Sequence, residues 1–504
     1  METFQHILNG FEVALQPINL WYTFLGCFLG TVIGVLPGIG PSATMALLIP
    51  VTYGMNPTSA LIMLCGIYYG ARYGGSTTAI LINAPGEASA VMTTLDGYQM
   101  AKKGRGGGAL AIAAIGSFIA GTIGVVGLTI FALPVTALAL KFGPAEYFTL
   151  MLFAMTAVST LAGKSPAKAM ISTILGLMIA TVGIDLQSGQ PRFTAGVPEL
   201  QDGVGFVLAV VGLFAVSEVL MSMEEMTKGV RPEIIKLQGS VWLTREEFRR
   251  SFKPILRGSV VGFVIGVLPG AGGTIASIMS YVWEKRVSKH PEEFGHGAPE
   301  GVAGPEAANN ADTAGAMVPL LSLGIPGGGS TAVLLGAFIM YGIQPGPLLF
   351  QKNPDVVWGL IDSMYIGNIM LLILNIPLIG LFVRLLYVPG GILMPLILAI
   401  ATIGLYAING NIFELFLGLG FGVIGYVFRK LDIPLAPMVL SLVLGGIMEQ
   451  SFRQAMTISD GNPSIFVGST ICITLVILSV LSIALPFVFA KIASSRAAPA
   501  EEAA

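Results

Sequence analysis

Four Pro-Gly dipeptides carry the first readable chemistry: Pro37-Gly38, Pro85-Gly86, Pro269-Gly270 and Pro326-Gly327. Each lies in apolar surroundings and is followed by hydroxyl residues: Ser42 and Thr44, Ser89, Thr274 and Ser277, Ser330 and Thr331. Proline and glycine stop one helix, and a hydroxyl can cap the next. The unpaired N–H groups of the new helix carry roughly half a positive charge, so such an end can hold a carboxylate without a lysine or arginine. The expected anion-binding set is therefore Gly38, Gly40, Ser42, Thr44, Gly86, Ser89, Gly270, Gly272, Thr274, Gly327, Ser330 and Thr331. Arg72 joins it as a charge in an otherwise apolar stretch, where the rival reading is a structural ion pair or a snorkelling side chain. Carbonyls at the end of the first half-helix suit Na⁺. Asn83, Asn309, Asn310 and Asp312 are the side chains expected to help hold Na⁺ or H⁺, Asp312 having pairing with Arg72 as its alternative. Glu87 and Asp96 read only as markers of the end of a crossing, and Glu414 as an interface residue.

The rest of the inventory is bland. Cys27, Cys65 and Cys472 sit in apolar stretches without metal-ligand spacing, and His6, His290 and His296 lie at the N-terminus or in the hydrophilic segment 284–308. With no nucleophile–base pair, phosphate loop or metal cluster in the pattern, neither an enzyme nor a cofactor is expected.

The elements that must position these residues follow from composition. Of 504 residues, 54% are hydrophobic and only 11% charged, against about 25% in an average soluble domain. From Val13 to Ala71 there is no ionisable Asp, Glu, Lys, Arg or His. So few charges cannot cover a soluble surface of this length, and the 65 glycines and 30 prolines are better tolerated in membrane helices. The chain reads as an all-α polytopic membrane protein in a lipid bilayer, and its net charge of −2 gives no hint of nucleic acid. The N-terminus lacks the basic region of a cleavable signal.

The glycine pattern is duplicated. Gly26-(x3)-Gly30-(x3)-Gly34-Val-Leu-Pro-Gly-Ile-Gly40 reappears as Gly258-(x3)-Gly262-(x3)-Gly266-Val-Leu-Pro-Gly-Ala-Gly272, and the second Pro-Gly turn is repeated more weakly. Plain spans are expected near 109–133, 145–163, 166–183, 204–222, 359–383, 391–408, 412–428, 433–449 and 464–490. Lys102, Lys103, Arg105, Lys164, Lys168, the basic segment 223–257, Arg384, Arg429, Lys430, Lys491 and Arg496 then fall on one face, taken as cytoplasmic. Lys285, Arg286 and Lys289 stay on that face if 258–283 is a re-entrant hairpin whose arms, 258–268 and 273–283, are each too short to span. Its counterpart is 24–53. The segments 60–101 and 309–342 each hold one interrupted crossing, giving about 11–12 crossings in all. The expected division is a first half 1–222, a linker 223–257, a second half 258–493 and a disordered tail 494–504. The two halves finish on opposite faces, which makes them inverted repeats and suggests a mobile region sliding against a scaffold, as in an elevator.

The stretches Gly34–Pro41, Tyr69–Thr78 with Pro85-Gly86, Pro305–Asn310 and Leu323–Gly327 resemble the large membrane subunit of tripartite tricarboxylate transporters, over roughly residues 20–490. The resemblance implies a bacterial inner-membrane protein and a cation gradient, Na⁺ or H⁺, as driving force. It also implies two partners: a small membrane subunit of about four helices and a periplasmic solute-binding protein that delivers citrate or another carboxylate. The second copy departs from the first in having Gly273 where Pro41 stands and Gly328 where Glu87 stands. A stand-alone carboxylate channel or permease, needing no binding protein, is the alternative.

Overall fold

The computed structural model describes residues 2–161, 165–185, 187–228, 234, 235, 237 and 240–484. Lys164, Arg231, Lys236, Lys491, Arg496 and the expected tail lie outside them. In chain order the helices are α1 (Glu2–Ala14), α2 (Pro17–Gly34), α3 (Pro41–Leu48), α4 (Pro57–Ile82), α5 (Val91–Met100), α6 (Gly106–Ala139), α7 (Pro144–Leu161), α8 (Pro166–Ala180), α9 (Phe206–Val210) and α10 (Ser217–Thr227). They continue as α11 (Arg245–Val267), α12 (Gly272–Val287), α13 (Pro299–Leu323), α14 (Gly329–Met340), α15 (Leu349–Lys352), α16 (Pro354–Asn375), α17 (Ile379–Leu385), α18 (Gly390–Asn409), α19 (Ile412–Lys430) and α20 (Ala436–Ile458), with a last helix α21 (Thr470–Ala484). The protein is an all-α polytopic membrane protein, 79% helical. Among the described residues, six helical stretches are long and apolar enough to cross a bilayer: Pro17–Gly34, Ala88–Ala139, Phe206–Thr227, Pro354–Asn375, Gly390–Asn409 and Ile412–Lys430.

Chain contacts divide the protein into two compact units, Met1–Ala139 with Val207–Val427, and Leu140–Phe206 with Phe428–Ala504. In the larger unit, α4 is buried at every residue from Ser59 to Ile82 and α13 at every residue from Pro299 to Ser322. The expected hydrophilic segment 284–308 is thus corrected at its end: residues 299–308 are buried helix, because Gly, Ala and Pro there let neighbouring backbones close over them. The repeated glycines explain how. A Cβ on Gly26, Gly30 or Gly34 would stand 2.3–2.5 Å from the carbonyl oxygen of Met63, Ile67 or Ala71 on α4. A Cβ on Gly258, Gly262 or Gly266 would stand 2.1–2.5 Å from that of Gly304, Ala308 or Asp312 on α13. Without side chains the backbones touch, which is how small residues hold helices together where lipid removes the hydrophobic drive.

Both copies then break alike. Gly38 and Gly270 each have φ 83°, and the helices before the second Pro-Gly turns end in left-handed residues, Asn83 (φ 54°) and Gly324 (φ 73°). Gly86 packs on Gly75 and the Gly34 carbonyl, while Gly327 packs on Ala316 and the Gly266 carbonyl. Two boundaries differ from expectation. The arm expected at 258–268 belongs to the 23-residue α11, which starts at Arg245 with a Thr244–Glu247 capping box and so begins inside the segment expected as a linker. The span expected at 359–383 is split into α16 and α17, because Pro377 cannot continue the helical hydrogen bonding. The α11–α12 turn is a hairpin: Arg257 pairs with Glu284 at 2.5 Å and Arg250 with Glu293 at 2.6 Å, so Lys285 and Arg286 return to the end from which α11 starts.

The smaller unit packs α7, α8 and α20 together with a two-stranded hairpin, Gly183–Ile184 against Pro191–Arg192. Asp185 in that hairpin accepts from Arg453 at 2.7 Å and from the backbone N–H groups of Gln187 and Ser188. The Arg453 guanidinium, followed by those amides, holds its carboxyl well below the usual carboxylate range.

Two outcomes follow from this packing. Gly262→Ala costs about 1–3 kcal/mol by overpacking and lowers the thermal midpoint in detergent, whereas Gly446→Ala, at a helical site with open space, is neutral or slightly stabilising. Because the folded Asp185 pKa is depressed, its contribution is complete above the unfolded value near pH 4 and is lost as pH falls below it. Asp185→Asn therefore flattens the acid side of a plot of thermal midpoint against pH.

Candidate functional site

Arg72 sits in the middle of α4, one helical turn past Tyr68 and one before Ser76. A guanidinium inside an apolar bundle must find acceptors, and it finds them in both copies of the repeat. From the turn after α4, Glu87 Oε1 lies at 3.1 Å and Ser89 Oγ at 2.6 Å. From α13, Asp312 Oδ2 lies at 3.2 Å and Asn309 Oδ1 also accepts from the guanidinium. Tyr68 completes the shell with its hydroxyl at 3.4 Å and its ring beneath the cation, 5.4 Å from Cζ. Ser89 donates to Glu87, so the serine links cation and carboxylate. The side chains of Arg72, Glu87 and Asp312 are all nearly excluded from solvent.

The Pro-Gly breaks gather around this cluster. Gly273 at the start of α12 is the closest approach: a Cβ there would fall 2.4 Å from Arg72 Nη1. Gly40, which precedes α3, faces Glu87, and Gly328, which precedes α14, faces Gly272. The two second-turn helices meet the two hairpins crosswise, with Ser42 Oγ 3.0 Å from Ser330 Oγ across the copies. Within the second copy, Gly270 N–H donates to the Gly327 carbonyl at 2.9 Å.

The expected residues therefore divide. Gly38, Gly40, Gly86, Gly270, Gly272 and Gly327 are at the breaks, and Ser42, Ser330, Ser89 and Arg72 line the place where the copies meet. Thr44 turns back on its own helix to the Gly40 carbonyl, and Thr331 is engaged with the N–H and carbonyl of Gly328, so both act as local caps. Thr274 is half-buried in the first turn of α12. Of the cation candidates, Asn309 turns Oδ1 and Asp312 turns Oδ2 to the Arg72 guanidinium, so Asp312 makes the ion pair that was its alternative. Asn310 donates to Ser117 Oγ and the Glu306 carbonyl. Asn83 is exposed and serves as the left-handed end of α4.

Three participants escaped the sequence reading. Glu87 is a partner of Arg72 rather than a marker of a membrane exit. Glu306 is fully buried and accepts from Ser76 at 2.6 Å and Thr93 at 2.5 Å. Asp96 is fully buried as well, accepting from Tyr281 and from the N–H groups of Gly295, Gly297 and Ala298. The available signal was the charge itself: a carboxylate directly after a Pro-Gly turn, or in a run of Ala, Asn and Gly, is too costly in an apolar bundle to lack a partner.

Comparison with known proteins adds to this geometry. The family model described as "Tripartite tricarboxylate transporter TctA family" matches residues 20–440. An uncharacterised 52.8 kDa protein in the TAR-I ttuC' 3' region of Agrobacterium vitis is 48% identical over 475 residues, 94% of each chain. An uncharacterised protein in the TAR-II ttuC' 3' region of the same organism is 47% identical over 224 residues, 44% of this chain and 93% of its own. No solved structure matches.

Removing the cation while leaving its acids in place is the sharpest perturbation of the cluster. Arg72→Met strands Glu87 and Asp312 and costs about 3–5 kcal/mol, read as a drop in thermal midpoint in detergent. Adding Glu87→Gln and Asp312→Asn to it recovers a large part of the loss.

Proposed function

Because this chain belongs to the tripartite tricarboxylate transporter TctA family, we propose that it is the large membrane subunit of a cation-coupled importer of di- and tricarboxylates. In this reading the substrate reaches it from a periplasmic binding protein, at the bacterial inner membrane, with a small membrane subunit alongside. The family is one of transporters, and no step of bond-making chemistry is assigned to the chain.

The observation that carries the reading is the convergence of helix breaks from both copies on one buried cluster, in a protein whose helices are otherwise closely packed. Non-helical backbone inside a membrane bundle is sustained where it is buried in protein or lines a cavity, and transporters place their substrate sites at such interruptions. The substrate carboxylates are assigned to the N–H groups that begin α3 and α14, beside Ser42 and Ser330, so that backbone dipoles supply most of the attraction. Arg72 does not face the anion as a free charge. It is set against Glu87 and Asp312, and with both ionised the cluster carries one net negative charge. An anion entering there needs a positive ion with it, which is the electrostatic case for cation coupling. The two copies are read as inverted repeats, with the hairpin tips moving as one body relative to the plain spans.

The test is uptake into proteoliposomes holding the complete three-component system, with citrate, succinate and malate offered in turn, with and without Na⁺ and proton gradients. Gradient-driven accumulation of at least one acid, dependent on the binding protein, is the expected result. Equal uptake by this chain alone, indifferent to any gradient, favours a passive permease instead. Gly38→Val and Gly270→Val force a β-branched residue into φ 83°. Each abolishes uptake while membrane insertion, followed by fractionation, is retained.

A further inference from the structure

Glu306 differs from the other acids around it. Glu87 and Asp312 share Arg72, Glu284 pairs with Arg257, Glu300 with Arg250, and Asp96 takes three backbone N–H groups. Among the described residues Glu306 pairs with no cation and takes no amide; its donors are the hydroxyls of Ser76 on α4 and Thr93 on α5. It is fully buried. Ionised, it would be a third carboxylate near a single guanidinium, shut off from bulk solvent by its full burial. A hydroxyl can donate to a carboxylate or accept from a carboxylic acid, so this cradle serves both protonation states by rotation alone.

Behind Ser76 lies a small cavity of about 10 Å³. Its polar lining is Tyr73, Ser76, Thr77, Ser117 and Asn375, and the Tyr73 hydroxyl has no hydrogen-bond partner. That is about the room one water needs, with more than the two polar partners that hold one. Ser76 thus both donates to the carboxyl of Glu306 and lines a void about the size of one water.

We propose that Glu306 carries the coupling proton, exchanged through Ser76 and this hydroxyl-lined cavity. The proposal rests on the transport reading above and narrows its cation to H⁺. Loading adds one proton from the aqueous phase to a carboxyl oxygen of Glu306 and removes one negative charge from the cluster; release returns the proton to water on the other side. No electrons move. Among the described residues, the titratable and charged groups on the elements packed against this part of α13 include Tyr68, Arg72 and Tyr73 on α4, Glu87 in the turn after it, Asp96 on α5, Tyr281 and Glu284 on α12, and Arg250 and Arg257 on α11. The segment of α6 that meets it contributes Ser117, and α14 has no titratable side chain. Each of the acids among them has a cation or amide partner, whereas, among the described residues, Glu306 is held by hydroxyls alone.

Glu306→Gln imitates the loaded acid. In proteoliposomes with the full system, and with citrate, succinate or malate as probe, this variant keeps substrate counterflow. Its accumulation under an acid-outside gradient falls to the level seen without a gradient. Retained proton-driven accumulation in the variant, or wild-type accumulation driven by Na⁺ and indifferent to pH, overturns the proposal. A second measurement is independent of transport. Infrared spectra of the purified wild type at neutral pH show a protonated-carboxyl band that shifts on isotopic labelling of glutamate carboxyls and weakens in Glu306→Gln. Absence of that band in the wild type refutes the proton site even if carboxylates are carried, whereas its presence with no carboxylate uptake refutes the transport reading alone.

Discussion

Backbone contact between helices is the constraint from which the rest of the larger unit follows. Gly26, Gly30 and Gly34 bring α2 onto the carbonyls of α4, and Gly258, Gly262 and Gly266 do the same for α11 on α13. The contacts run in both directions, since Gly66, Gly70 and Gly74 of α4 press back on α2. At this separation neither helix can slide by a residue without driving a Cβ into a peptide group. The register is therefore fixed, and with it the height at which each helix stops. Gly86 and Gly327 then find the same notch at the end of each stripe, and the broken ends are held where they can meet.

Electrostatics follows from that placement. A helix buried on all sides has no aqueous route by which a side chain can hide a charge, so Arg72 must be answered from within the bundle. The answer comes from four chain segments: its own helix, the turn after it, α13, and the start of α12, where Gly273 leaves room. Such a group is better described as a shared network than as a set of pairs, because Ser89, Asn309 and Tyr68 tie the carboxylates to one another through the same cation.

Much of this architecture was legible in the residues. The membrane class came from charge scarcity, the duplication from the repeated glycine motif, and the helix breaks from their Pro-Gly dipeptides; Gly38 and Gly270 adopt the same φ in the structure. The return of Lys285 and Arg286 was legible too, since a basic cluster on the wrong side demanded a hairpin. What could not be read was distance across the fold. Glu87 and Arg72 are fifteen positions apart, and nothing local says that the chain doubles back to join them. Asn309 looked like a cation ligand by type, and its oxygen does face a cation, but an arginine supplies it. The start of α13 was missed for a related reason: Pro299, Glu300 and Glu306 look solvated in one dimension, and only the glycine- and alanine-lined packing around them makes their burial feasible.

The departure at Gly273 breaks the likeness of the two copies where it matters most. The two copies match along their stripes, yet Arg72 has Thr313 as its counterpart, and Gly273 takes the place of Pro41. One copy donates the guanidinium while the other donates the vacancy that receives it. A pair of identical protomers, each bearing an arginine at that position, would set two like charges toward one another with no hollow for either. The guanidinium and its hollow are thus a feature of unlike halves, and restoring full likeness between the two copies at these positions would remove it.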